Sequence, residues 1–155
     1  MQKYLRFLFI LPVLWLAACS LEVKQPAPEI EEDSSLIQIR PSDSSSPAVL
    51  SLLQKARTAA REGELEVAEV QLERALRIEP RNASLWHFMA RLRLEQGRME
   101  QAAGLAARSN SFEHDDLLLQ ANNWRIIAHA QFQQGNMKAA KEAQARADAL
   151  AKDND

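Results

Sequence analysis

A single cysteine, Cys19, rules out an intramolecular disulfide. With only four glycines, one tyrosine and 6% aromatic residues among its 155, the chain is poor in the residues that build turn-rich sheets. Neither charge sign dominates, at 19 basic and 21 acidic residues, which removes nucleic acid as a partner. Chemical motifs are also lacking: there is no HExxH, GxSxG, P-loop or glycine-rich phosphate loop. The three histidines, His87, His114 and His129, have no metal-ligand spacing. The carboxylates scatter along charged helices, as in Glu73 four residues before Arg77. No metal, cofactor, small-molecule substrate or enzyme activity is expected. Ala, Leu, Glu, Arg and Gln are abundant, and with 46% hydrophobic and 26% charged residues they predict an all-α domain of modest size.

The N-terminus accounts for the lone cysteine. "MQKYLRFLFILPVLWLAACS" carries Lys3 and Arg6, then stays uncharged from Phe7 to Ala18. That core is too short to cross a bilayer as a helix, which needs about 20 residues, and suits a signal peptide. It ends in small Ala17 and Ala18 directly before Cys19, an arrangement that resembles the lipobox of bacterial lipoproteins. The resemblance implies cleavage after residue 18, lipidation of Cys19 as the new N-terminus and stable anchoring through its acyl chains. Ser20, being no aspartate, implies sorting to the outer membrane, with the protein facing the periplasm.

Residues 19–47 read as a tether. From Ser20 to Pro47 the chain holds four of its six prolines and seven serines, without a periodic apolar face. Such a segment does not bury enough surface to offset its ordering entropy. Fully extended it reaches roughly 90 Å. "SLIQI", Ser35 to Ile39, is its one apolar patch. The tether has six acidic and two basic residues, whereas the remaining domain is balanced at 15 of each.

From residue 48 onward one pattern recurs. "EGELEVAEVQLERA", "QGRMEQAAGLAARS" and "QGNMKAAKEAQARA" place Gly63 and Gly97 34 residues apart, with Gly135 a further 38 on. Each glycine separates two helical runs. A 34-residue helix pair resembles the tetratricopeptide repeat. The resemblance implies three repeats, at about residues 49–82, 83–116 and 121–154, stacked as a short α-solenoid. The family's small-residue sites fall on Ala56, Ala68 and Ala75, on Ala90, Ala102 and Ser109, and on Ala128, Ala140 and Ala147. Helix axes about 8–10 Å apart leave room for little else. Leu52, Trp86 and Trp124 fill the bulky site of each first helix, and Pro80 closes the first repeat. The expected mid-helix aromatic is replaced by Ala59, Arg93 and Gln131. The four extra residues before the third repeat add about one turn to its first helix, with Asp115 or Asp116 as N-cap. Ser46 and Pro47 make a similar start for the domain.

The repeat family binds extended segments in the concave groove lined by its first helices. Carried over position by position, the groove comprises Leu53, Arg57 and Arg61, then His87, Arg91 and Leu94, then Asn122, Arg125, His129 and Phe132. Arginine on this face implies an acidic or carboxylate-ended partner segment. The chaperone-type carboxylate clamp is not reproduced, since Leu53, Phe88 and Ile126 occupy three of its polar positions. Lipid anchor, tether and three repeats together resemble the outer-membrane lipoproteins that activate bifunctional class A penicillin-binding proteins. The layout implies a non-catalytic protein that binds such a synthase. An assembly factor for a pilus secretin or for outer-membrane proteins is the alternative.

Overall fold

The computed structural model describes residues 45–112 and 115–153. Cys19, the signal peptide and nearly all of the tether lie outside the described residues, as does His114. Among the described residues the chain forms six α-helices: α1 (Pro47–Arg61), α2 (Leu65–Ile78), α3 (Ala83–Glu95), α4 (Met99–Asn110), α5 (Leu117–Gln133) and α6 (Met137–Asp153). They pack as the antiparallel pairs α1–α2, α3–α4 and α5–α6. α4 lies broadly against α5, and α2 meets α3 over a smaller area.

Local chemistry sets the helix ends. Ser46 caps α1, its side chain accepting from the Val49 amide, with Pro47 in the first turn. Asn82 and Asp116 cap α3 and α5 in the same way. α5 has 17 residues against 13 in α3, so the four-residue insertion lengthens the first helix as the sequence implies. Each first helix ends on the same motif. Gly63, Gly97 and Gly135 have φ of 78°, 71° and 78°, a region open to glycine without steric cost. The amides of Glu64, Arg98 and Asn136 then donate back to the carbonyls of Ala59, Arg93 and Gln131. These acceptors are the three positions where the family's mid-helix aromatic is missing.

The nine small-residue sites are all at most 3% exposed, which fixes the helix crossings. One apolar cluster joins α1 and α2 to α3 through Leu52, Leu53, Leu72, Leu76, Phe88 and Leu92. A smaller one, around Ala90, Ala102, Ala106 and Ile126, carries the stack on to α5. α6 buries only Ala140, Ala143 and Ala147 and closes the array with a solvated outer face.

Because Ala68 has no exposed surface, a larger side chain there has no space to enter. Ala68→Trp is expected to lower stability by about 1–3 kcal/mol or more. Thermal unfolding followed by circular dichroism checks this, and an unchanged midpoint would contradict the helix-pair register.

Candidate functional site

The first helices α1, α3 and α5 present a cationic face. Arg61 is exposed at the end of α1, and Arg57, one turn earlier, is half-buried. Arg57 lies 5.9 Å from the centre of the Phe88 ring. Burial and the neighbouring charge of Arg61 both depress its pKa below the usual guanidinium value. Arg91 on α3 is depressed mainly by burial, with Glu95 partly compensating. Burial in turn raises the pKa of Glu95, against the pull of Arg91. On α5 the Arg125 guanidinium donates to Asn122 Oδ1 at 2.7 Å. His129 Nε2 is 3.4 Å from Gln133 Nε2, and Nδ1 is buried with no protein hydrogen-bond partner. Leu94 and Phe132 are half-buried.

Two residues assigned to the groove from the sequence do not reach its surface. Leu53 is 3% exposed and belongs to the core cluster shared with Phe88. His87 is 1% exposed and faces α5. Phe88 and Ile126 are buried too, so these positions of the chaperone-type clamp serve packing.

His87 instead anchors a buried polar chain. Its Nδ1–H donates to Asn123 Oδ1 at 2.6 Å. The Asn123 amide donates to Ser109 Oγ at 2.8 Å and to Asn110 Oδ1 at 2.7 Å. The Ser109 hydroxyl donates to the Ala83 carbonyl at 2.8 Å. Ser109, the one non-alanine among the small-residue sites, thereby joins α4 to both α3 and α5. The donors of His87, Asn123 and Ser109 each have an acceptor, the condition for burying polar groups at low cost, while Asn110 Nδ2 at the end of the chain is buried without a protein partner. Burial lowers the His87 pKa to about 4, the Asn123 hydrogen bond opposing and Arg91 reinforcing the shift.

The second-helix side carries a feature that the sequence reading missed. A cleft of about 950 Å³ runs between α2 and α4, floored by α3. Trp86 and Met89 lie on its floor, with Leu76 and Leu105 on its walls. Arg108 stacks on Trp86, 3.8 Å from the ring centre, and Arg146 stacks on Trp124 at 4.6 Å. Both pairs are 22 residues apart, a spacing visible in the sequence. Arg93 pairs through both terminal nitrogens with Glu69 of α2, which lowers the carboxyl pKa chiefly through that hydrogen bond. Glu69 is thus an ionic contact between the first two repeats.

Among the described residues no cluster of His, Cys, Asp or Glu suits a metal ion. No described helix is long and apolar enough to cross a membrane.

The pH response of His87 has a definite sign. The unfolded imidazole takes a proton as pH falls through about 6.5, whereas the folded one stays neutral until about 4. Stability gained from the neutral, buried form is therefore full above pH 6.5 and is lost across that window. Between pH 7 and pH 5 the loss should be about 2 kcal/mol, read from urea midpoints. His87→Gln keeps an N–H donor without titrating there, so its slope over this range should be markedly flatter.

The comparisons with known proteins agree with this geometry. Models described as tetratricopeptide repeat match residues 59–122 and 121–154. No curated protein matches the chain by sequence. A solved structure, the globular C-terminal domain of P. aeruginosa LpoP, is 36% identical with a TM-score of 0.63. The alignment covers 66% of this chain and 97% of that one. With a shared helical repeat and a match over nearly the whole of that domain, the chain belongs to the LpoP-like tetratricopeptide-repeat proteins.

Proposed function

We propose that the protein is a lipid-anchored, non-catalytic adaptor of the outer membrane that binds and activates a class A penicillin-binding protein. The observation carrying this reading is the 36% identity across 97% of the LpoP globular domain. A lipobox-like Cys19 and an acidic, proline-rich connection to the repeat domain add the layout of an envelope lipoprotein. The contact surface is the first-helix groove, reduced to the residues that reach it: Arg57, Arg61, Arg91, Leu94, Asn122, Arg125, His129 and Phe132.

The electrostatics favour an anionic partner segment. Arg57 and Arg61 repel each other, and Arg91 is partly desolvated near Glu95. A carboxylate entering the groove offsets the repulsion between Arg57 and Arg61. Beyond about 8 Å such attraction is screened at physiological salt, so the arginines act on encounter rate and register. Leu94 and Phe132 supply apolar area for the retained complex. The protein itself transfers no group; it alters the output of the synthase by binding it.

Reconstitution tests the proposal. The Arg61→Glu, Arg125→Glu double variant should retain its helical spectrum and lose stimulation of glycan polymerisation by the purified synthase. Full stimulation by the folded double variant would exclude the groove as the contact. Anchoring is tested separately, by metabolic labelling with a fatty acid. Cys19→Ala should abolish the label and leave an uncleaved precursor; a labelled Cys19→Ala protein would place the lipid elsewhere.

A further inference from the structure

The cleft between α2 and α4 has no part in the groove reading, yet it is a concavity of about 950 Å³ with an apolar floor. Gly104 lies on its α4 wall. A Cβ built there meets nothing within 4 Å, so packing inside the domain does not require glycine. A glycine within a helix is costly relative to alanine, and its neighbours in α4 include Ala102, Ala103, Ala106 and Ala107. Gly104 keeps the wall low where Leu76, Trp86 and Leu105 converge.

The chain enters the domain at the mouth of this cleft. The Ser46 amide donates to Glu79 Oε1 at 2.8 Å, and Asn82 Nδ2 donates to Ser45 Oγ at 3.0 Å. Asn82 Nδ2 also reaches Glu79 Oε2 at 2.7 Å, so the start of the described chain is fastened to the turn between α2 and α3. Pro80, in that same turn, borders the cleft. Upstream of Ser45 lies "EIEEDSSLIQI", residues 29–39, with four acids at its start and Leu36, Ile37 and Ile39 at its end. Five residues lie between Ile39 and Ser45, six chain steps that span roughly 20 Å when extended. Two helical turns of cleft wall occupy only about 11 Å.

We propose that residues 29–39 of this chain dock in the α2–α4 cleft, their aliphatic side chains over Trp86 and Gly104 and their acids toward Arg77 and Arg108. Both arginines are exposed, and with Arg93 paired to Glu69 the cleft lining keeps Arg77 and Arg108 against the single acid Glu73. The covalent connection supplies a high effective concentration, so a weak contact suffices to occupy the cleft.

The chain from Ser20 to Asp155 contains no cysteine, which permits a nitroxide spin label at Ser35→Cys. Paramagnetic broadening is read by nuclear magnetic resonance at the Trp86 indole, the Leu105 amide and the groove residue Arg125. The expected result is loss of most signal intensity at Trp86 and Leu105, none at Arg125, and no change on dilution with unlabelled, isotopically silent chain. Gly104→Gln, which favours the helix and raises the cleft wall, should restore the lost signals while the thermal midpoint stays the same or rises. Uniform broadening, or selective broadening that survives Gly104→Gln, would overturn the proposal. So would broadening that fades on dilution, because the occupant would then be a second copy.

Discussion

Close approach of the paired helices is the constraint on which the structure depends. Nine alanine or serine sites, buried to within 3% of full occlusion, let the axes come together. Larger side chains at those sites would push the pairs apart and undo every contact built across them. With the spacing set, the remaining apolar residues have limited choices: Leu72, Phe88 and Leu92 fill the space between α1, α2 and α3, and Ile126 fills that below α5. The glycine turns give each pair the same entry and exit, so the repeat propagates by geometry and needs no disulfide or metal.

The two seams between repeats are made differently. At the first, α2 and α3 share a small contact area and are joined by the Glu69–Arg93 ion pair and the apolar cluster. At the second, the His87–Asn123–Ser109 chain fastens α3, α4 and α5 in the interior, and α4 lies broadly on α5. The ion pair is largely covered, its side chains 12% and 20% exposed, so removing either partner leaves the other charge mostly desolvated. The donors of His87, Asn123 and Ser109 are satisfied, and losing one of these residues strands its neighbours, at about 1–3 kcal/mol for each orphaned group. The looser first seam is also where the surface opens into the α2–α4 cleft.

Fold and repeat register were legible because both are written with a period. Gly63, Gly97 and Gly135 mark the turns, and the small residues recur at fixed offsets from them. The N-cap Ser46, and Asp116 as one of the pair Asp115 and Asp116, were visible for a local reason, a polar side chain preceding an apolar helix. The site was less legible. Positions that face a groove in an average repeat are covered when a neighbouring first helix crosses close by, which is the fate of His87 beneath α5. Leu53 joins the core through Phe88, a contact between residues far apart in sequence. Arg93 was legible only as a missing aromatic, since its partner Glu69 lies in the preceding repeat. The cleft left two faint sequence traces, a helix-interior glycine among alanines at Gly104 and the 22-residue spacing of Trp86 and Arg108.

The attachment of Ser45 and Ser46 to Glu79 and Asn82 has a mechanical consequence. The Glu79 carboxylate is partly desolvated, which alone would raise its pKa, yet hydrogen bonds from Ser46 and Asn82 hold it below the usual value. It therefore stays ionised and keeps its grip on the start of α1. Tension along the N-terminal segment is delivered at once to α1 and to the turn that joins the first two repeats. A pull that would otherwise peel α1 away from α2 instead loads two repeats in parallel, and the first helix is protected from unravelling from its end.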